Sequence, residues 1–551
     1  MTSTLYRNGV IHSSADPFAE ALLVDDGVVA WLGAEDTAAG LAARADRVID
    51  LDGALVAPAF VDAHVHVLET GLALESVDLG AAAAPTRAAA LDALAAAARA
   101  LAAADPAGDE VLLAAGWDER AWPERAPLTR EDLDAACGGR PVYAAHAGLH
   151  AAAVSTSLAA AAGAERVPGW DASGLVVGEA LAAVRAVAQD LPPQRRTRAY
   201  RRALERAARL GIAAVHEMST PHTDTRAGLR ELVDLGADPA GGLPLVVAYR
   251  GELCASEDDA RALLADLPFL RGIAGDIAVD GSIAAHTAAL RQPYADVVAS
   301  AAGPDPRGTL ALSAEQVAAH LAAVSAVGVQ AGFHVAGDRA MDELVAGLEA
   351  AAERLGAGPL RAGRHRVEHA PFVDASALAT LLLHGVSLSV QPAHAAAWGG
   401  PDGLYATRLG APRAENMAPF ADLQSAGIPL AFGSDAPATP LDPWQAVRAA
   451  LTHTDETQRL SARAAFRAHT RGGWRLAGAD HAGELRVGAP AHLAVWRSDA
   501  YVVQSSGRGL SSWSEEARAG QPVLPDLAPG APEPVCLHTA RDGVPLFDTF
   551  A

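Results

Sequence analysis

The middle of the chain alternates short apolar segments with helical patterns, and this alternation restricts the fold more than any other feature. Repeated strand–helix–strand units are typical of a parallel sheet that is buried on both faces. Eight such apolar segments occur, which is the number of strands in a closed (β/α)8 barrel. The predicted strands are Ala54–His66, Ile212–Ser219, Leu245–Arg250, Asp276–Gly281, Val329–His334, His365–Ala370, Val386–Gln391 and Pro429–Asp435.

The two ends of the chain differ from this middle because they carry short β-like segments separated by turn residues. Asp25-Asp26-Gly27, for example, is a hairpin signal. We therefore predict an α/β protein in which 58–482 form a TIM-like barrel, while 1–57 and 483–551 together form a small β-sandwich. About 145 residues separate the first two predicted strands, which is too long for an ordinary connection and predicts a helical insertion at about 80–200.

Polar side chains recur where the predicted strands end. In a (β/α)8 barrel these ends open on one face, and active sites are found there. Imidazoles grouped with a carboxylate suit zinc or a similar divalent cation. The strand-end residues are His64, His66, His216, Glu217, Asp280, His334, Glu368, His369, Gln391 and Asp435.

His64 and His66 lie two residues apart, so a strand places both imidazoles on one face. A chain with 19 histidines can contain such a pair by chance, and most strand-end histidines only make structural hydrogen bonds. Joint placement is more specific, because further candidate ligands end the fifth, sixth and eighth predicted strands: His334, His369 and Asp435. The pattern predicts a divalent-metal site at one end of the barrel.

Several motifs carry a resemblance to a known family. Pro58-Ala-Phe-Val-Asp62-Ala-His64-Val-His66 resembles the first-strand signature of the amidohydrolase superfamily, and Phe432-Gly-Ser434-Asp435 resembles its eighth-strand signature. Gly116-Trp117-Asp118, Asp280-Gly281-Ser282 and Gln391-Pro392 are similar to the YtcJ-like (amidohydrolase 3) branch. The resemblance covers nearly the whole chain. It implies a barrel with a β-sandwich and metal-dependent hydrolysis of a C–N bond, of the amide or N-substituted formamide type.

The resemblance also implies a role for each candidate ligand. Asp435 would bind the metal, accept the proton of the attacking water and pass it to the leaving amine. Asp435 and His369 are therefore the expected catalytic residues, and a divalent cation would lower the pKa of the water and polarise the scissile carbonyl. Glu368 precedes His369, and strand alternation turns it away from the metal into a supporting position. The implied metal ligands are His64, His66, His334, His369 and Asp435.

The chain contains no lysine, although many binuclear members of the superfamily bridge two ions with a carboxylated lysine. In the YtcJ-like pattern that lysine would lie four residues before Asp280, where this chain has Asp276. The missing lysine favours one divalent ion, most readily zinc, and leaves Asp276 or Glu217 as the candidate bridging or supporting carboxylate. It also leaves open a catalytically silent ligand-binding or regulatory barrel. A deaminase of the same superfamily is a weaker alternative, because Gly337 stands where deaminases have a glutamate.

Substrate-binding candidates come from the insertion and from the connections at the barrel mouth. Aromatic and arginine side chains there can hold an aryl or a carboxylate-bearing substrate. The stretch between the seventh and eighth predicted strands also contains His394, Tyr405 and Arg413. The expected substrate-binding residues are Trp117, His150, Asp280, His286, Trp398 and Arg408.

Composition limits the partners and the compartment. The formal net charge of −23 disfavours nucleic acid and anionic membranes as partners. The three cysteines are widely separated and form no CxxC pair, and the N-terminus has no signal-peptide pattern. We therefore expect a cytoplasmic enzyme that acts on a small molecule. The sequence leaves a homodimer open.

Overall fold

The barrel is the central element of the computed structural model, which describes residues 3–104, 110–147, 151–188, 190–297, 305–505, 512–514 and 521–550. Eight strands form one sheet in which each strand pairs with the next one along the chain, and all of these pairs are parallel. The strands are Phe60–Val65, Ile212–Ser219, Leu245–Arg250, Gly272–Ile273, Gln330–Val335, Arg366–His369, Ser387–Val390 and Leu430–Phe432.

The first and the eighth strands approach each other at the carboxyl end of the barrel. Val65 and Ala436 form a parallel bridge, and the Asp435 N–H donates to the His64 carbonyl at 2.8 Å. These bonds nearly close the sheet and place the ends of these two strands side by side. The predicted (β/α)8 barrel with additional sheets from both termini is thus confirmed.

The fourth strand lies earlier in the chain than predicted. The regular strand is Gly272–Ile273, whereas the segment Asp276–Gly281 forms only isolated bridges. The backbone turns out of the strand at Gly275, whose φ of 96° is open mainly to glycine. Asp276 and Asp280 consequently lie beyond the strand, on the face where the other strands end.

Helices follow most of the barrel strands. Ser313, Asp374 and Asp442 each accept a hydrogen bond from a backbone N–H in the first turn of the helix that they precede, which fixes where these helices begin. The helices of this part of the chain are Arg226–Ala237, Glu257–Asp266, Ala314–Ala326, Asp338–Leu355, Ala357–Ala362, Ala375–Leu383, Pro392–Trp398, Leu404–Leu409, Ala411–Glu415, Phe420–Ser425, Pro443–Leu451, Ala462–Arg467 and Gly473–Leu476.

Both chain ends contribute to the β-sandwich. A four-stranded sheet consists of Val28–Gly33, Ala21–Asp25, Ser3–Arg7 and Arg47–Asp50, and the helix Glu35–Leu41 connects two of its strands. Apolar side chains from both ends, such as Tyr6, Val56, Leu493 and Leu537, share one buried core. A five-stranded sheet combines Val10–Ile11, Leu55–Pro58, Leu493–Arg497, Val535–Arg541 and Val544–Asp548, and a three-stranded sheet combines Tyr501–Ser505, Ser512–Ser514 and Leu524–Pro525.

The insertion forms a second compact unit, Val67–Ala203, distinct from the unit that holds the barrel and the sandwich residues. Contrary to the prediction, it is not purely helical, because it contains a five-stranded sheet. Alanine has the highest helix propensity, and burial against neighbouring strands overrides that preference in segments such as Ala151–Val154. The strands are Val77–Asp78, Leu112–Trp117, Val142–His146, Ala151–Val154 and Leu175–Val177, and the helices are Val67–Glu75, Arg87–Ala104, Arg130–Cys137, Thr156–Ala162, Gly178–Ala188 and Pro193–Arg209.

Among the described residues, no helix is both long enough and apolar enough to cross a lipid bilayer.

Candidate active site

Six side chains converge where the barrel strands end. His64 and His66 come from the first strand and its end, and Asp435 follows the eighth strand. His334 lies in the fifth strand and His369 ends the sixth. Asp276 is the sixth residue. Together these residues form three overlapping groups of three, and within each group the possible ligand atoms lie within 4.8 Å of one another. The structure thus brings together all five metal ligands that the sequence predicted.

Asp276 lies at the centre of this cluster. Its Oδ2 is 3.1 Å from His66 Nε2, and its Oδ1 is 3.7 Å from His64 Nε2. The same Oδ1 lies 3.7 Å from His334 Nδ1 and 3.8 Å from His369 Nε2. One carboxylate therefore faces four imidazoles, from the position where the family resemblance would place a lysine.

Hydrogen bonds on the far side of three imidazoles fix the direction of the rings. His334 Nε2 lies 3.0 Å from the Gly281 carbonyl, and His369 Nδ1 lies 2.8 Å from Gln391 Oε1. Because these oxygens accept, His334 Nε2 and His369 Nδ1 donate to them, and the other ring nitrogens, His334 Nδ1 and His369 Nε2, face Asp276. Metal-binding histidines in proteins are oriented by this kind of outer hydrogen bond.

His64 is oriented by a buried charge network inside the barrel. Its Nδ1 lies 2.9 Å from Glu368 Oε2, and Arg366 donates to both oxygens of Glu368. The supporting role predicted for Glu368 therefore has a structural basis. His216 also faces this network, at 3.2 Å from Arg366. The neighbouring Glu217, the other candidate bridging carboxylate, is buried on the same strand, and its contact with the cluster stays a prediction.

Two of the site residues have unusual backbone conformations. His369 has a φ of 66° and Asp435 a φ of 54°, in the left-handed region that non-glycine residues adopt only at a cost. At both positions the chain turns sharply as it leaves a strand. The turn directs the side chain across the barrel mouth instead of along the strand direction.

The cluster holds opposite charges together. Burial alone would raise the pKa of Asp435, but hydrogen bonding to His66 and the charges of neighbouring imidazoles hold it well below its usual range. Burial opposes the charged form of His334 as well, yet the contact with Asp276 raises its pKa to about 9. The same carboxylate raises the pKa of His66 well above the ordinary value despite burial. The site therefore favours a negatively charged Asp435 and positively charged imidazoles at His66 and His334.

The donors present fit a divalent metal. His64 Nε2 and Asp276 Oδ1 face each other at 3.7 Å, and both are buried atoms without a hydrogen-bond partner among the described residues. Buried polar atoms are rarely left unsatisfied in folded proteins, and such atoms at a site call for an explanation. Imidazole nitrogens and carboxylate oxygens in this number are the ligands of zinc and related cations.

Comparison with known sequences agrees with this geometry. The sequence pattern described as the amidohydrolase family matches residues 47–546, which is nearly the whole chain. The chain belongs to the amidohydrolase family. Its members and structural neighbours include metal-dependent hydrolases, so the barrel is that of a metal-dependent hydrolase.

Individual relatives support the assignment. The putative amidohydrolase YtcJ of Bacillus subtilis is 27% identical over 451 residues, which cover 78% of this chain and 80% of that protein. An uncharacterised metal-dependent hydrolase of Pyrococcus horikoshii is 25% identical in its crystal structure, with a TM-score of 0.70 over 90% of this chain and 98% of that one. The N-substituted formamide deformylase of Arthrobacter pascens is 31% identical over 133 residues, which are 24% of each chain.

Within this amidohydrolase, the carboxylate of Asp280 accepts three hydrogen bonds from backbone amides. Its Oδ2 accepts from the N–H groups of Ala289 and Gly337, both at 2.7 Å, and its Oδ1 accepts from Ala336 N–H at 2.9 Å. Asp280 thereby ties the 281–290 segment to the start of the helix Asp338–Leu355. These bonds give Asp280 a positioning role in the fold, and its contact with substrate stays a prediction.

His286 and Arg408 are far apart in sequence but lie together in the structure. Asp296 joins them: its Oδ1 is 3.0 Å from His286 Nε2, and its other oxygen accepts from Arg408. Arg408 also donates to the Ala284 carbonyl at 3.2 Å. Both predicted substrate-binding residues thus belong to one partly exposed cluster, and their contact with substrate stays a prediction.

The segment after the seventh strand contains a site residue that the sequence analysis did not assign. His394 Nε2 lies 3.4 Å from Asp435 Oδ2, on the opposite side of that carboxylate from His66. Trp398, a predicted substrate-binding residue, packs against the His394 ring at 4.4 Å between centroids, and Tyr405 lies beyond it. A sequence signal exists, because Pro392 begins a helix directly at the carboxyl end of the strand and holds His394 in its first turn.

The two remaining candidates belong to the insertion. Trp117 is almost fully buried, donates to the Ala144 carbonyl at 2.9 Å and stacks on Trp122. These contacts make it a core residue of its own unit, and its contact with substrate stays a prediction. His150 lies outside the described residues.

Proposed function

We propose that the protein hydrolyses the C–N bond of a small amide, with N-substituted formamides as the substrate class. The observation that carries this proposal is the convergence of four imidazoles on Asp276 and Asp435 at the barrel mouth. Membership of the amidohydrolase family supports the reaction type, and the partial similarity to the formamide deformylase of Arthrobacter pascens supports the substrate class. A carboxylate beside the metal ligands supplies the base that hydrolysis requires.

The two carboxylates have different surroundings, and this separates their roles. Asp276 is enclosed by imidazoles, whereas Asp435 has one oxygen near His66 and the other near His394. A bound divalent cation would supply a water of lowered pKa and a polarised carbonyl. Asp435, held ionised, accepts the proton of the attacking water and returns it to the leaving nitrogen. During this step the imidazoles are kept in place by hydrogen bonds to Gln391, to Glu368 and to the Gly281 carbonyl.

The donor arrangement supports two ions instead of the single ion that the missing lysine favoured. One set consists of His64, His66 and Asp276, and a second consists of Asp276, His334 and His369. The two sets share only Asp276, whose Oδ2 lies near His66 and whose Oδ1 lies near His64, His334 and His369. We propose that Asp276 takes the bridging place of the lysine and that zinc, with its preference for nitrogen and oxygen ligands, occupies the centre.

Metal content distinguishes these stoichiometries. Wild-type protein is expected to hold about two ions per chain, and the Asp276→Ala variant about one at most, because both sets lose their shared ligand. Inductively coupled plasma mass spectrometry on zinc-loaded, desalted protein measures this directly. The exposed residue Asp234 on the helix Arg226–Ala237 offers a control, since Asp234→Ala removes a carboxylate outside the site. One ion in both wild type and Asp276→Ala would contradict the bridge.

The substrate class is tested by product release. The zinc- or manganese-loaded protein is expected to release formate from N-alkyl and N-benzyl formamides at least about tenfold faster, in kcat/KM, than acetate from the matched acetamides. Formate and acetate are measured enzymatically, and the matched formate and acetate esters are assayed in parallel. Equal rates on formamides and acetamides would leave an amidohydrolase without formyl specificity. Turnover of esters alone would overturn the C–N assignment.

A further inference from the structure

A second charged site lies in the same unit, in a cleft between the sandwich and a helical segment that follows the eighth strand. Four arginines line it: Arg463, Arg467, Arg471 and Arg486, called here the arginine cleft. The only carboxylate among its lining residues is that of Glu484, so three positive charges remain uncompensated there. This excess is unusual in a chain whose formal net charge is −23.

Two of the four arginines share a single carboxylate, that of Glu484. Arg471 pairs with Glu484, and Arg486 Nε lies 3.8 Å from the same glutamate. Among the described residues, no carboxylate lies within 4.0 Å of the guanidinium group of Arg463 or Arg467. Arg463, Arg467 and Arg471 follow each other at four-residue spacing, which brings like charges together on a helical segment and is unfavourable without an anion.

The walls of the cleft are fixed. Ser13 Oγ donates to the Leu485 carbonyl at 2.5 Å, which holds the sandwich wall. His469 Nδ1 lies 3.0 Å from the Val61 carbonyl, which holds the helical wall against the barrel. Gly483 has a φ of 81°, and a Cβ there would lie 2.6 Å from Arg471 Cα, so only glycine permits this close approach. The arginines therefore face a space that is already formed.

The cleft is separate from the metal ligands. Pro58 lines it and lies before the first barrel strand, Phe60–Val65, whereas His64 and His66 lie at the other end of that strand. At about 3.3 Å per residue, the six residues from Pro58 to His64 span about 20 Å. An anion in the cleft would not touch the reacting groups.

We propose that the arginine cleft binds the phosphate group of a small molecule. The planar guanidinium group forms paired hydrogen bonds with phosphate oxygens, and several arginines match the double negative charge of a phosphate better than the single charge of a carboxylate. The cavity volume of about 60 Å³ suits a single phosphate group, and the cleft is partly open to solvent, so that a small organic group attached to the phosphate can extend outwards. Inorganic phosphate and an esterified phosphate share this chemistry.

Calorimetric titration of the zinc-loaded protein with inorganic phosphate and with glycerol 3-phosphate, at constant ionic strength, tests the proposal. The Arg463→Gln/Arg467→Gln variant is expected to bind either ligand at least about tenfold more weakly than wild type. The variant Arg44→Gln/Arg354→Gln removes the same charge from exposed positions elsewhere and is expected to bind like wild type. Tighter binding of glycerol 3-phosphate would identify an esterified ligand, and tighter binding of inorganic phosphate the free anion.

Three outcomes would overturn the proposal. The first is the absence of phosphate binding to wild type at millimolar concentration. The second is unchanged affinity in Arg463→Gln/Arg467→Gln, as expected if phosphate binds only at the metal centre. The third is an equal loss in both double variants, which would indicate a general charge effect. Thermal unfolding without phosphate confirms that the variants are folded, and Arg486→Gln, at an exposed side chain, provides a milder substitution with the same expected direction.

Discussion

Replacement of Asp435 by asparagine is expected to lower kcat by about 10³-fold while the protein stays folded and keeps bound metal. Asparagine has the size of aspartate, and its amide oxygen can still face His66, from which Asp435 Oδ1 now lies 3.3 Å away. It cannot accept a proton from the attacking water at neutral pH. The loss should therefore appear in kcat, measured at saturating substrate, and metal content is determined on the same samples.

The control for this experiment is Asp422→Asn, a substitution on the helix Phe420–Ser425 outside the donor cluster, which should keep full activity. The same comparison separates an enzyme from a catalytically silent barrel. A protein that only binds ligands would show no turnover to lose, and its affinity for a substrate analogue would be the same in wild type and Asp435→Asn. Full activity of a metal-loaded Asp435→Asn protein would contradict the assignment of the base.

The parts of the fold that could be predicted are those in which local pattern and burial agree. Largely buried strands such as Ile212–Ser219 and Leu245–Arg250 have the predicted bounds, because a short apolar run between two helical patterns favours a strand. The fourth strand departs from the prediction because Gly275 ends it early. The sheet of the insertion was missed because its strands are rich in alanine, whose helix propensity conceals strands that tertiary packing stabilises.

In the candidate site, too, some residues could be predicted from the sequence and others could not. Ligands at strand ends could be predicted because the barrel topology brings those ends to one face, whatever the connections do. Substrate contacts depend on loops, and there the sequence does not reveal which polar atoms are already used. Asp280 is occupied by three backbone amides, and Trp117 is buried in its own unit. His394 could be named as a residue of the barrel mouth, but its approach to Asp435 was not predicted because it depends on the direction of a helix that only the structure shows.

Lowering the pH from about 7.5 to about 5 is expected to reduce the free energy of unfolding by about 2 kcal/mol for each of two buried histidines, His320 and His365. His320 Nδ1 accepts from the Cys254 N–H, and His365 Nδ1 accepts from the Ala331 N–H, both at 3.0 Å. A proton on either nitrogen would displace that hydrogen bond. Burial lowers the pKa of both imidazoles to about 4.

The sign of the effect follows from which state binds more protons. In the unfolded chain a histidine titrates near pH 6.5, so between about pH 6.5 and pH 4 the unfolded state takes up protons that the folded state refuses. The stabilisation is complete above this window and is lost as the pH falls through it. The lowered pKa values of His12 and His469, also about 4, add to the total loss in wild type.

Urea unfolding of metal-free protein at a series of pH values, followed by circular dichroism, measures the loss without interference from metal release. The variant His365→Gln isolates one histidine, since the glutamine amide oxygen can accept from Ala331 N–H and takes up no proton. Its unfolding free energy should fall by about 2 kcal/mol less than that of wild type over the same range. His481→Gln, at an exposed position, should follow the wild-type curve. If both variants follow it, protonation of His365 does not contribute to acid unfolding.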